Sequence, residues 1–257
     1  MASTTVLWRA FLMAMVIFMV SPLVILTLFS FTEGSLLSFP IKGLSLEWYT
    51  KVLSENQFWA SLKNSLIVTG CVGVISTVVG TMAAFGLVAM RGRTAGLVLT
   101  ALTLPVMVPP LVLGVMSLTY FSGIGVKLGL QTVVLAHLTF TQPLVIMIVY
   151  ARMSTFDFAT VKSARDLGAS RFKAFVTITL PIIQPTLIGA SLVAMALSLD
   201  DFLVTFFTIG GGNTLPTLLW GMLRKIVDPT INVVAVVLMT LTICVSLVAL
   251  WVTRYRG

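Results

Sequence analysis

Polar residues along the chain are confined to short clusters between long apolar blocks, and within the blocks apolar residues neither alternate nor keep to one helical stripe. Segments apolar on every side belong in an apolar solvent, and a helix rising 1.5 Å per residue needs roughly 20 of them to cross about 30 Å of hydrocarbon. Six blocks meet that length, at about Trp8 to Ser30, Lys63 to Met90, Thr94 to Ser122, Leu130 to Arg152, Pro185 to Ile209 and Thr230 to Thr253. The pattern predicts an all-α polytopic membrane protein of about six transmembrane helices, a single transmembrane domain over residues 1–257. The first block is uncharged from Ala10 to Phe31, longer than a signal-peptide core of about 7 to 15 residues, and lacks an A-x-A-like cleavage site. It reads as a retained span.

Two connections are longer than a turn requires. Residues 32–62 contain LEWYTKVLSENQFWASL, in which Trp48, Tyr49, Val52, Leu53, Phe58, Trp59 and Leu62 recur near helical spacing, predicting an outer amphipathic segment. It either anchors in the headgroup layer or docks an outside partner. Residues 152–181 are too charged for hydrocarbon and predict a cytoplasmic loop holding two short helices. Asp157 and Thr160 offer N-cap chemistry, Gly168 in DLGAS a break, and Pro181 and Pro185 a turn back into the membrane.

Composition supports the membrane reading and adds an orientation. Of 257 residues, 58% are hydrophobic and 9% charged, outside the balance of a soluble domain. The formal charge of +8 comes from residues scattered at block ends, so no continuous patch for nucleic acid forms. With the amino terminus inside, Arg9, Arg91, Arg93, Arg152, Lys162, Arg165, Arg171, Lys173, Arg254 and Arg256 are cytoplasmic. Lys42, Lys51, Lys63, Lys127, Arg224 and Lys225 are then outside, a 10 to 6 division that the basic turn MRGRT reinforces. Both termini are therefore expected in the cytoplasm. Cys71 and Cys244 lie within apolar blocks and read as small buried hydrophobes.

The string SARDLGASRFKAFVTITLP resembles the EAA loop of permease subunits in ABC importers, matching at Ala164, Gly168, Leu180 and Pro181. DLGAS, LSLDDFLVTFF and TIGGGNTLPTLLWGMLRKIVDPTINVVAV resemble the spermidine/putrescine (PotC-like) branch of that family. The resemblance implies a type I importer (MetI-like) fold, inward alternating-access transport of a polyamine-type cation, and a pathway shared with a second homologous permease. It also implies a cytoplasmic ATPase dimer, an extracytoplasmic substrate-binding protein, and surrounding membrane lipid as partners. Coupling to the ATPase would fall to Ala164, Arg165, Asp166, Gly168, Ala169, Ser170, Arg171, Phe172 and Pro181. The family's leading glutamate falls on Lys162 and its first alanine on Ser163, a reversal of charge. A helix from about Ala164 to Phe175, interrupted near Gly168, independently presents Arg165, Arg171 and Lys173 with Phe172 and Phe175 among them, a mixed surface suited to a partner's groove.

No G-x-x-x-x-G-K-[ST] string occurs, so this chain is expected to bind no cofactor, with ATP and magnesium held by the ATPase. Neighbouring acids appear in the fifth block, ALSLDDFLVTFF. Each Asp at a helix centre costs roughly 2.5 to 3.5 kcal/mol on insertion scales, so Asp200 and Asp201 should face protein or water. At 100° per residue, at most one of them faces a pathway squarely. With the polyamine-type solute that the resemblance implies, that one would bind an ammonium, with Phe202, Phe206 and Phe207 adding cation–π attraction, while the other would pair with a neighbouring helix or cap a broken segment; the alternative is a structural role, an Asp hydrogen-bonded between helices or to the partner permease.

His137, with Thr141 and Gln142 before Pro143, reads as repair of backbone hydrogen bonds at a kink and not as a metal site. Pro105, Pro109 and Pro110 predict a kinked third span, while Gly70, Gly73, Gly80 and Gly86 suit close helix contact. The competing readings are the same importer type carrying an opine, an amino-acid derivative or iron, or an intramembrane enzyme. Against an enzyme, Asp200 and Asp201 share one helix and the sole histidine lies on another span, with no catalytic motif around Ser191.

Overall fold

The computed structural model describes residues 2–35, 38–41, 43–90, 92–225 and 228–256, with side chains described from 7 to 251. Lys42 and Arg91, two of the topology-setting cations, lie outside the described residues, as do the side chains of Arg254 and Arg256. The described chain is helical apart from connections and an isolated antiparallel bridge between Thr32 and Leu44. Its helices are α1 (Ala2–Ser30), α2 (Glu47–Ser54), α3 (Asn56–Ala89), α4 (Gly92–Thr103), α5 (Pro110–Gly123) and α6 (Leu130–Ser154). They continue with α7 (Ala159–Asp166), α8 (Arg171–Ala174), α9 (Leu180–Asp200), α10 (Leu203–Thr208), α11 (Leu215–Leu223) and α12 (Thr230–Arg256). Five described segments are long and apolar enough to cross a membrane, and the bent pair of α4 with α5 makes a sixth. This is the all-α, multi-pass architecture expected from the blocks.

The third and fifth spans depart from continuous helices. After α4 the chain tightens into a 3₁₀ turn, Leu104–Met107, then Val108 becomes extended and Pro110 opens α5. The two halves meet at 96°. Consecutive prolines explain it: Pro109 lacks an N–H, forces Val108 out of the α region, and leaves Pro110 at a first-turn position where its missing N–H costs nothing. The expected kink is therefore a break.

The fifth membrane-spanning segment begins earlier and ends sooner than Pro185 to Ile209. Arg171–Asp200 runs as one 30-residue segment through a π-helical stretch, Phe175–Thr179, and stops at Asp200. At 1.5 Å per residue it is about 44 Å long. Pro181 and Pro185 therefore do not turn the chain; both sit within helix, and the π stretch before them loosens the ladder where the Pro181 ring would press on the preceding turn.

The chain divides into two compact units, residues 1–60 with 218–240 and residues 61–217 with 241–257. In the first unit the aromatic face of α2 is turned onto the protein itself. Trp48 is buried and its indole Nε1–H donates to the Thr32 carbonyl at 3.0 Å, while the Tyr49 ring stacks on Phe31 and its hydroxyl meets Ser30 Oγ at 2.8 Å. Lys51 pairs with Asp228 at 3.3 Å. Leu53 and Trp59 remain exposed for lipid or a partner, and the expected amphipathic helix is split at Glu55, after which α3 starts.

The second unit is built on α3, α6 and α9, whose shared core includes Ala84, Val145, Val149, Met153, Ile183 and Ala190. Lipid tails are as apolar as leucine, so helix association in a bilayer depends on close fit and polar cross-links more than on escape from solvent. Gly73 and Gly80 supply the fit: a Cβ there would come within 2.5 Å of Met195 and 2.7 Å of Val145. Gly70 and Gly86 face open space. Ser76 Oγ to Thr141 Oγ1 at 3.0 Å, and Ser191 Oγ donating to the Gly73 carbonyl at 3.2 Å, supply the cross-links. Cys71 and Cys244 are exposed, contrary to the burial expected; on a span, an outward position already meets an apolar environment.

Candidate functional site

The two acids sit at a helix break and not within a helix. Asp200 is the last residue of α9, and Asp201 leaves it extended at φ −70° and ψ 123°. Phe202 is back in the helical region and α10 follows. Asp201 is thus freed from the 100° step that a continuous helix would impose between it and Asp200, and the two side chains separate.

Asp201 turns inward. Its side chain is 11% exposed, and Oδ2 accepts the Thr205 backbone N–H at 2.9 Å, filling one of the donors left open at the start of α10. The Thr205 hydroxyl lies 3.1 Å from the Asp201 carbonyl and 3.2 Å from Oδ2. Across from them, α6 contributes His137, fully buried, with Nε2 at 2.9 Å from Thr205 Oγ1 and 3.2 Å from Asp201 Oδ2, and Nδ1 at 2.8 Å from Ser198 Oγ. Donors and acceptors close when Nε2–H donates toward Thr205 and Asp201 and Nδ1 accepts from the Ser198 hydroxyl, a tautomer set by the network. A carboxylate at the N-terminus of a helix is also favoured by its dipole. Asp201 is therefore accounted for by structure alone.

Asp200 is not. It is exposed, and its carboxylate makes no hydrogen bond or ion pair among the described residues. It stands at the C-terminus of α9, where the helix dipole disfavours an anion by about 0.3–1 kcal/mol. It lines a cavity of about 650 Å³ whose walls are the broken third span (Pro105, Val108), α6 (Phe140, Leu144), the α9–α10 junction, and Thr242 of α12. Asp200 and Asp201 are the charged residues in that wall. A second cavity of about 300 Å³, between Ile148, Gly189, Val193 and Leu250, has no charged residue. Phe202 lines the larger cavity as expected; Phe206 is 45% exposed and stands outside its wall, and Phe207 packs where Gly114 lets α5 approach α10.

His137 therefore does something other than mend its own helix. The local repair is made by Thr141, whose hydroxyl donates to the His137 carbonyl at 2.9 Å, one turn back. The sequence carried a sign of the cross-helix network: Ser198, Asp201 and Thr205 recur at helical spacing and mark a polar stripe. Phe140 and Leu144, ordinary apolar residues, carried no sign of lining a cavity.

On the opposite connection, the matching alanine and glycine have a physical explanation. Gly168 lies at φ +92° just past α7, its N–H donating to the Arg165 carbonyl at 2.9 Å, and Ala169 N–H donates to the Ala164 carbonyl at 3.0 Å. This is a Schellman termination, with the glycine four positions after the residue whose carbonyl it leaves capped. Ser170 then caps α8 by accepting the Lys173 N–H at 3.2 Å, and Asp157 accepts the Ala159 N–H at 2.8 Å ahead of α7.

Arg165, Asp166, Ser170, Arg171, Lys173, Pro181 and Lys162 are exposed, with Leu167 90% and Phe172 77% exposed among them. Phe175 is not on that face: it packs edge-on against Phe85 at 5.6 Å. Leu167 was not singled out in the sequence, because one leucine in a charged loop is unremarkable until its exposure is known.

Residues 76–255 match the family described as "Binding-protein-dependent transport system inner membrane component". The putrescine transport system permease protein PotI of Escherichia coli (strain K12) is 31% identical over 230 residues, covering 86% of this chain and 82% of that protein. The spermidine/putrescine transport system permease protein PotC of the same organism is 27% identical over 245 residues, covering 95% of this chain and 92% of that one. In fold, a chain of a bacterial alginate ABC transporter, solved in complex with its alginate pentasaccharide-bound periplasmic protein, superposes with a TM-score of 0.72. It is 15% identical and the match covers 96% of this chain and 93% of that chain.

Proposed function

The chain belongs to the family of binding-protein-dependent transport system inner membrane components, and from that premise we propose that it is one permease half of an ATP-driven importer of a small polyamine-type cation. It is a transport permease and not an enzyme, and ATP hydrolysis belongs to a separate subunit. The observation that carries the solute class is Asp200, a carboxylate with no hydrogen bond or ion pair among the described residues, held against its helix dipole at the edge of a largely apolar cavity. An alkyl ammonium suits that combination: the carboxylate and the nearby carbonyl end of α9 attract the charge, Phe202 offers a ring face, and the apolar wall takes the methylenes.

The rest of the machine follows from the same premise. The solute arrives from an extracytoplasmic binding protein, the pathway is completed by a second homologous permease, and both termini lie in the cytoplasm. The loop at 152–181 is the coupling element, docking a cytoplasmic ATPase dimer that holds ATP and magnesium. Its rigid part is the capped pair α7 and α8, and the exposed Leu167, Phe172, Arg165 and Arg171 are its contact face. Lys162 puts a cation where the family pattern has glutamate, so contact at that position runs to an acidic or carbonyl group of the ATPase. Co-expression with the ATPase and partner permease, followed by vesicle uptake of labelled putrescine, tests the assignment. Uptake should require both ATP and the binding protein. Uptake of an opine, an amino-acid derivative or iron in its place would reassign the solute, and ATP-independent uptake by this chain alone would refute the importer reading.

A further inference from the structure

We propose that His137 is a positioning residue for Asp200, holding the α9–α10 break open from α6 so that the Asp200 carboxylate points into the cavity. The inference rests on the reading of Asp200 as the ammonium contact. Phe202 is already helical at φ −102° and ψ −46°, so Asp201 alone interrupts what would otherwise be one helix from Leu180 to Thr208. A rotation of ψ at Asp201 would fuse α9 to α10, gain backbone hydrogen bonds, and restore the 100° relation between the two acids. Asp201 and Thr205 cannot then keep their present geometry around a fixed third group.

His137 is that group. Its ring is fully buried on α6 and reaches both sides of the break, Ser198 on α9 through Nδ1 and Thr205 and Asp201 through Nε2, at 2.8, 2.9 and 3.2 Å. A ring clasping residues before and after one extended residue fixes that residue's conformation. It touches the solute site through Asp201 and, ring against ring at 5.3 Å, through Phe140, and is not itself in the cavity wall.

The test is a double-mutant cycle on the complete transporter in vesicles, reading KM and Vmax for labelled putrescine in Asp200→Asn, His137→Ala and the double variant. If His137 acts through Asp200, both single variants raise KM by about 10-fold, the double variant raises it no further, and Vmax stays within about two-fold. His137→Gln, whose amide carries a donor near the Nε2 position, should recover most of the lost affinity. Multiplicative KM effects, or a loss confined to Vmax, would overturn the proposal, because His137 would then act independently of Asp200. A silent His137→Ala beside an impaired Asp200→Asn sinks the positioning role alone; a silent Asp200→Asn sinks the ammonium reading as well. Should His137→Ala not assemble, Thr205→Val with Ser198→Ala removes the same clasp from the other side, and the same cycle with Asp200→Asn decides.

Discussion

Replacing Asp200 with Asn tests whether a single charge recruits the solute. The change keeps shape and removes one negative charge from a cavity wall otherwise dominated by apolar side chains. Two unit charges 4 Å apart attract by about 4 kcal/mol at an effective dielectric of 20. Asp200 is exposed, so water in the cavity screens it, and the lower end of the range for charged hydrogen bonds, about 1.5 kcal/mol, is the appropriate magnitude. That is about a tenfold rise in KM, since 1.36 kcal/mol corresponds to a factor of ten. Uptake of labelled putrescine into vesicles holding the full transporter, at saturating binding protein and ATP, gives KM directly. Asp201→Asn should behave differently: its carboxylate serves a helix start and a buried ring, so that variant should lower the thermal stability of the complex, and any rise in KM should vanish when it is combined with Asp200→Asn. Unchanged KM in Asp200→Asn would refute the assignment of the solute contact to Asp200.

Three further outcomes follow from the packing. Gly114→Val should destabilise the second unit by about 1–3 kcal/mol, read as a lower melting temperature in detergent, because even a Cβ there would meet Phe207 at 2.7 Å and the Leu203 carbonyl at 3.1 Å. Leu167→Asp and Phe172→Asp should abolish ATPase co-purification while leaving the melting temperature of the isolated permease within about 2 °C, since both side chains are exposed and surface changes away from packing cost little. Gly168→Ala meets no atom within 4 Å, so its effect is purely conformational, about 1–2 kcal/mol against the left-handed backbone, and should reduce solute-stimulated ATP hydrolysis without loss of the permease from the membrane.

Features that depend on neighbours in the chain were legible in the sequence. Membrane spans show as unbroken apolar length, and the loop at 152–181 shows as a charged interval with a glycine four residues after an alanine, a spacing that reappears as the Schellman cap in which Gly168 and Ala169 donate to Arg165 and Ala164. Prolines at 105, 109 and 110 marked a distortion correctly but not its size, because helical composition on both sides says nothing about whether the chain bends or breaks. Ala196 to Phe207 contains no proline or glycine, so nothing local in it marks the break after Asp200.

What the sequence determined by itself is local: an all-α membrane chain, the cap that shapes its loop at 152–181, and the geometric rule that two adjacent acids on a helix cannot face one way. Only the tertiary structure decided which acid turns inward and which faces the cavity. His137 lies 61 positions from Ser198 and 68 from Thr205, and no helical periodicity connects residues so far apart. Their meeting depends on how α6 packs against α9 and α10, and that contact supplies the partners that draw Asp201 inward. Asp200 is left facing the cavity because the break between the two acids exists, and the break is a property of the packed helices, not of the twelve residues that contain it.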